Sequence, residues 1–218
     1  PLNFISHSLS IPELRFLMSA ALPAVCTPSS SSLCDVGSRL GAVLFGASIL
    51  GGFRHAVGVE FNPDLCKVQE AAVGAFGLEK SVRVVCGDVL DNTQLIADAQ
   101  VVVLHNAFQF FLAPETSLRC WRAIAAATKP GTWVVACPSL EEQLACCTGG
   151  AGGKGATKKG KQKKGKGAAR STALDLDAWV EEHAMDYPIA ETEDDEYADE
   201  EGRLFTNIHL YKVKAALV

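Results

Sequence analysis

Apolar positions along the chain fall into short continuous runs that alternate with helical stripes. An apolar pair at residues 33–34 leads into Asp35-Val36-Gly37 and predicts a first strand. Residues 42–50 form an apolar, helix-like stretch closed by Gly51-Gly52, and residues 55–59 read as a second strand that ends on Glu60. Asn62-Pro63 is a strong helix start, a capping residue followed by proline at the first helical position. Leu65, Val68, Gln69, Ala72 and Phe76 give that helix one face before Gly77 ends it. β-Branched residues 82–86 predict a third strand, and Asp91-Asn92 begins a short helix. Residues 101–104 are the continuous apolar run of a strand buried on both faces. Pro114-Glu115 opens a helix with Leu118, Trp121, Ile124 and Ala125 inward, Lys129-Pro130-Gly131 is a turn, and residues 132–137 are a fifth strand.

The two ends are less regular. Near the start, Ser10 caps a helix with Pro12 and Glu13 in its first turn and Leu14, Leu17, Met18 and Ala21 on its apolar side. We read it as packing against the sheet, in preference to covering a ligand. Residues 140–147 predict helix, residues 174–187 a strand or a helix, and residues 204–213 a closing antiparallel strand. Strand and helix alternate through five units. The fold class expected is α/β: a doubly wound, mostly parallel, seven-stranded Rossmann-like sheet with an antiparallel closing strand.

Composition adds bounds. The chain has 218 residues, 48% of them hydrophobic, which is enough for one α/β domain with a full core and excludes a disordered chain. The net charge of −5 is mild, but its distribution is not. Residues 149–167 hold seven lysines among glycines and no acid, a composition that predicts disorder. Residues 191–201 are the reverse, an acidic loop with eight carboxylates. The lysine run is read as a loose anchor for nucleic acid or a nucleosome, weighed equally against a solvated insertion without a partner. None of the eight cysteines forms a C-x-x-C and no histidine pair has metal-ligand spacing, so no metal is expected and the thiols are read as reduced. Arg15 and Pro23 interrupt the apolar run 14–26, which is too short and broken to span a membrane, and no signal-peptide pattern is evident. The expected location is intracellular, cytoplasmic or nuclear.

The candidate chemistry lies in residues 33–60: strand, glycine turn, helix, strand, acid, the layout of a nucleotide-binding βαβ unit. Gly37 and Gly41 let the backbone turn tightly and approach a ligand. Glu60, at the end of the second strand, suits the two hydroxyls of a ribose. The dinucleotide motif G-x-G-x-x-G is absent, and Asp35 at the mouth of the turn repels a pyrophosphate while suiting an amino group.

Asp35-Val36-Gly37-Ser38 with Gly41 resembles motif I of the class I S-adenosylmethionine-dependent methyltransferases, and Lys129-Pro130-Gly131 before the fifth strand is similar to the same class. Together with Gly58-Val59-Glu60, these segments are similar to the non-SET histone lysine methyltransferases, the disruptor of telomeric silencing family. The resemblance covers about half the chain. It implies a methyltransferase domain at residues 33–218, preceded by an N-terminal helical extension at 1–32. It implies S-adenosyl-L-methionine as cofactor, with Asp35, Gly37, Ser38, Gly41, Glu60, Phe61, Asp88, Val89 and His105 around it. Asp88 would accept the adenine amino group, and the next backbone N–H would meet a ring nitrogen. Asn106, Phe108 and Phe110 resemble the family's Asn-Asn-Phe-Ala-Phe stretch, shifted by one residue; they imply an amide that orients a lysine amine and rings that wall its channel. For the phenylalanines, a place in the core is an equal alternative. Arg39 departs from the pattern, standing where most members carry the middle glycine, and its side chain is expected to crowd the turn. The implied activity is N-methylation of a protein lysine. A small-molecule methyltransferase, a non-catalytic binding module of the same fold, and a nucleotide-sugar or NAD enzyme stay open as alternatives.

Overall fold

A computed structural model describes residues 9–108, 111–145, 147, 174–191 and 197–217. Its strands are β1 (Ser32–Val36), β2 (His55–Glu60), β3 (Val82–Cys86), β4 (Val101–His105), β5 (Trp133–Cys137), β6 (Val180–His183) and β7 (His209–Val213). They form a seven-stranded sheet in the order β3-β2-β1-β4-β5-β7-β6. β1 to β5 pair in parallel, and β7 is antiparallel to both β5 and β6. The expected α/β class and the antiparallel strand are therefore present. β7 does not close the sheet at an edge, however; it lies between β5 and β6. It is also shorter than the apolar alternation predicts, because Phe205 takes φ 64° and turns the chain out of extended geometry before His209. The stretch 174–187 supplies both readings at once: a short helix α7 (Leu176–Trp179) runs directly into β6.

The helices before these are α1 (Ile11–Phe16), α2 (Ala42–Ile49), α3 (Pro63–Phe76), α4 (Thr93–Ala97), α5 (Pro114–Ala127) and α6 (Leu140–Ala145). The two-residue period of each strand feeds two apolar layers. Leu33, Val101, Val103 and Val135 pack with Leu17, Met18 and Leu22 and with Leu44 and Ala47 of α2. Cys34, Val36, Val102, Leu104 and Val134 face the other way, toward Ile96 of α4, Trp121 and Ile124 of α5, and Trp179. α1 begins as expected: Ser10 Oγ accepts from the Glu13 N–H, and Glu13 accepts from the Ser10 N–H. Leu14 then lies where a Cβ on Gly46 would be 2.7 Å from it, so α1 and α2 touch backbone to side chain. On the far side, Trp179 Nε1 donates to Thr128 Oγ1 at 2.8 Å and joins α7 to the end of α5.

The chain runs outward from β1 to β2 and β3, then crosses back to β4 on the other side of β1. The switch point is thus between β1 and β4, and the carboxyl ends of these strands are where open α/β sheets hold ligands. No helix among the described residues is long and apolar enough to cross a membrane. The lysine run 149–167 and residues 192–196 of the acidic run lie outside the described residues. Asp199, within the acidic run, accepts from the N–H groups of Glu201 and Arg203 and pairs with the Arg203 guanidinium at 2.9 Å, which shapes a local turn.

Candidate functional site

The turn after β1 contains three left-handed residues within five: Gly37 at φ 77°, Arg39 at φ 50° and Gly41 at φ 80°. Glycine adopts this conformation freely, but a residue with a Cβ is strained by roughly 1–2 kcal/mol. Arg39 is held there at both of its backbone groups. Its N–H donates to Glu60 Oε2 at 2.8 Å, and its carbonyl accepts from Gln69 Nε2 at 2.7 Å. Gln69 is fully buried on α3, and its Oε1 accepts from Ser38 Oγ at 2.9 Å. The N–H groups of Gly37 and Ser38 donate to the Val59 carbonyl. The turn lies so close to β2 that a Cβ on Gly58 would be 2.5 Å from Ser38 Oγ. Gln69, which holds the turn, is a residue the sequence reading did not assign to the site. Its only signal was an amide on an otherwise apolar helix face.

Two acids share one face of the sheet. Asp35 pairs with Gly58 in register, and Glu60 follows two residues later on the same side. Asp35 is 3% exposed, and its pKa is pushed up to about 7, first by burial and then by the charge of Glu60. Glu60 accepts from the Arg39 and Asn62 N–H groups, both at 2.8 Å. A carboxylate offers about four lone-pair sites, so about two remain for another donor pair. The Gly87 N–H donates to the Glu60 carbonyl and ties the end of β2 to the segment after β3. There Asp88 caps the Leu90 N–H with Oδ1 at 2.9 Å, Val89 is buried, and Phe61 is 76% exposed beside Glu60.

At the end of β4, Asn106 takes φ 47°, and its N–H donates to the Cys137 carbonyl at 2.9 Å. Gln143 of α6 donates to the Leu104 and Pro138 carbonyls and fixes the ends of β4 and β5 together. Asp35, Gly37, Ser38 and His105 meet Leu9, Arg39, Ala42 and Val43 around one cavity of about 20 Å³. That is room for about one water. The buried Asp35 carboxyl fits the ammonium group at the amino-acid end of S-adenosylmethionine. The N–H groups of Gly37, Ser38 and Arg39 are already bonded to Val59 and Glu60, and entry of such a group requires the cavity to widen. Glu60, Phe61, Asp88 and Val89 continue the site along the strand ends, outside this cavity. Phe108 lies elsewhere, buried in the opposite apolar layer with its ring edge-on to Trp121 at 5.4 Å. Phe110 falls outside the described residues. The Arg39 guanidinium lies over the ring of Phe111, 5.1 Å from its centroid. No group of metal-binding side chains is present among the described residues.

No protein-family model matches the chain, and no curated protein matches it. Solved structures are similar in fold. An RNA methyltransferase from Salinibacter ruber, in complex with S-adenosyl-L-homocysteine, is 25% identical over 59% of this chain and 76% of its own, with a TM-score of 0.47. An O-methyltransferase from Bacillus cereus, also in complex with that product, is 15% identical over 62% of this chain and 59% of its own, at 0.47. A putative O-methyltransferase from Klebsiella pneumoniae is 12% identical over 67% and 69%, at 0.48. The chain thus spans less than two thirds of the Bacillus protein. None of the three is a histone lysine methyltransferase, so the finer resemblance gains no support from them. The chain has a Rossmann-like α/β fold with a seven-stranded mixed sheet.

Proposed function

We propose that the chain binds S-adenosyl-L-methionine across the carboxyl ends of β1 to β4 and transfers its methyl group. The observation that carries this reading is the set of three acids, Asp35, Glu60 and Asp88, at or just past the ends of three neighbouring strands, with the glycine turn anchored on the middle one. Asp35 would accept from the α-ammonium group. Glu60 would take the two ribose hydroxyls on its remaining lone pairs. Asp88 and the Val89 N–H would read the adenine edge, and the exposed ring of Phe61 would lie along the base. The sulfonium group supplies a methyl already activated for displacement. The residues of the chain therefore align an acceptor, exclude water and bind the proton that leaves it. Asn106, just past the end of β4, would orient the acceptor, and His105 would lie against the cofactor.

For the acceptor, the reading is a protein lysine side chain, supported by the resemblance at Asn106. A small molecule or an RNA is the alternative acceptor, and a non-catalytic binding module is the alternative class. Calorimetric titration with S-adenosylmethionine and NAD tests the cofactor. Glu60→Gln removes the charge and one acceptor oxygen while keeping the side-chain length. It should weaken S-adenosylmethionine by about one to two decades, the loss of a charge-assisted contact of about 1.5–3 kcal/mol. Preference for NAD, or an unchanged affinity in the folded variant, would remove the assignment. Transfer of labelled methyl to proteins, RNA and small amines then separates the acceptors, and cofactor binding without transfer to any of them favours the binding module.

A further inference from the structure

Two thiols converge on the backbone carbonyl of Glu60. Cys66, buried on α3, donates its Sγ–H to that carbonyl at 3.3 Å. The Gly87 N–H donates to the same oxygen at 2.9 Å. The residue before it, Cys86, ends β3 and pairs with Glu60 in parallel register. Residues 82, 84 and 86 of a strand share one face. Val82 on that face packs in the same cluster as Val73 of α3, so Cys86 lies on the side of the sheet that α3 covers. The two thiols are neighbours there: the Cys66 pKa is pushed up to about 12, first by burial and then by the Cys86 side chain. Neither is bridged, and of the two only Cys86 is exposed.

A buried thiol beside an exposed one is placed to resolve what forms on the exposed one. We propose that Cys86 and Cys66 form a reversible disulfide on reaction with a small disulfide of the oxidised glutathione type, and that the bridge weakens ligand binding at Glu60 and Asp88. The exposed Cys86 sulfur attacks first. It breaks the S–S bond of the reagent, forms a mixed disulfide and releases one small thiol. Cys66 then gives up its proton, and its sulfur attacks Sγ of Cys86. The protein disulfide forms and the second small thiol leaves. The two protein thiols lose two electrons, the reagent gains them, and the two protons leave on its two thiols. The bridged Cys66 has no proton to donate to the Glu60 carbonyl, and the bridge ties α3 to the last residue of β3. That point lies between the proposed ribose and adenine contacts, so the effect on binding rests on the proposed cofactor, while the bridge itself does not.

The test uses the full chain and Cys86→Ser, each incubated with oxidised glutathione, alkylated in denaturant and cut with trypsin without reduction. Cleavage after lysine and arginine places Cys66 in peptide 55–67 and Cys86 in peptide 84–119, each with a single cysteine. In the parent these two peptides should be recovered joined, and dithiothreitol should separate them. Cys86→Ser should give no such pair. By calorimetry the oxidised parent should bind S-adenosylmethionine about 3- to 10-fold more weakly than the reduced parent, the size expected for one altered hydrogen bond. The affinity of Cys86→Ser should be the same after both treatments. A mixed disulfide that persists on Cys86 while Cys66 is alkylated overturns the bridge. So does a Cys86 joined to any other peptide or left unreacted. A bridge without a change in affinity overturns its action on the site. A reduced parent that binds no S-adenosylmethionine removes the cofactor reading, and the joined peptides then decide the bridge alone.

Discussion

At the scale of single residues, Asp35 carries the largest electrostatic tension in the site. Burial and the nearby Glu60 charge raise its pKa from the usual carboxylate range to about 7. In the unfolded chain the group ionises near pH 4. Between about pH 4 and pH 7 the folded state therefore holds a proton that the unfolded state has lost, and stability falls as pH rises through that window. The total is on the order of 4 kcal/mol, constant above about pH 7 and absent below about pH 4. Asp35→Asn should remove this loss. Urea unfolding should show the variant gaining on the parent from pH 4 to pH 7 and holding a constant lead of a few kcal/mol at higher pH. The same tension favours a cationic ligand group. Affinity for S-adenosylmethionine should fall by up to about tenfold per unit below pH 7 in the parent, and should be weaker with a flatter pH profile in Asp35→Asn. A parent whose stability and affinity are both flat across this range would show that Asp35 titrates normally.

At the scale of elements, the turn after β1 is not held by β1 and α2 alone. It hangs on α3 through Gln69, 31 residues beyond Ser38 and 30 beyond Arg39. Gln69→Leu removes both hydrogen bonds with little change in volume and leaves the Arg39 carbonyl and the Ser38 hydroxyl buried without that partner. It should destabilise the protein by about 2–3 kcal/mol. It should also weaken cofactor binding, because the loosened turn, bonded to Glu60 through the Arg39 N–H, presents that carboxylate less well. Val73→Ala, from the same buried face of α3, separates the two effects. It costs stability by packing loss but should leave affinity unchanged. Equal affinity in both variants would reduce Gln69 to a packing residue.

At the scale of the whole molecule, two apolar layers enclose the sheet, and the first is completed by the N-terminal segment. Leu9, Leu17, Met18 and Leu22 are buried in the same cluster as β1 and α2, so the helical extension is packed on the sheet and Leu9 reaches the site. The lysine run at residues 149–167 belongs to this scale as well, since its seven lysines are spread along one stretch of the chain. If it anchors nucleic acid, the chain should bind DNA or RNA without sequence preference, at micromolar strength or weaker, with a strong loss on raising salt. Gel shifts should show that binding abolished by deleting residues 149–167, with cofactor affinity retained. Equal binding by the intact and deleted chains, or none by either, would leave the run as a solvated insertion.

The sequence by itself determined the local architecture. Periodicity placed β1 to β5 and the helices between them, the Ser10 and Asn62 caps marked two helix starts, and the glycines with Glu60 located the turn after β1 and the end of β2. Those features depend on neighbours a few residues apart, and short-range sterics and capping decide them. Tertiary structure alone decided the rest. β7 inserts between β5 and β6 because pairing partners are chosen across the fold, and the left-handed Phe205 cuts short an apolar alternation that reads as a longer strand. Phe108 enters the core against Trp121, one of two places an aromatic after β4 can take. Gln69 becomes the clamp of a turn 30 residues earlier because α3 carries it there, and Arg39 lies over Phe111 because the fold brings the loops after β1 and β4 together; no local pattern encodes either contact. The pKa of Asp35 likewise follows from the burial and the second carboxyl that the parallel register of β1 and β2 brings to its side.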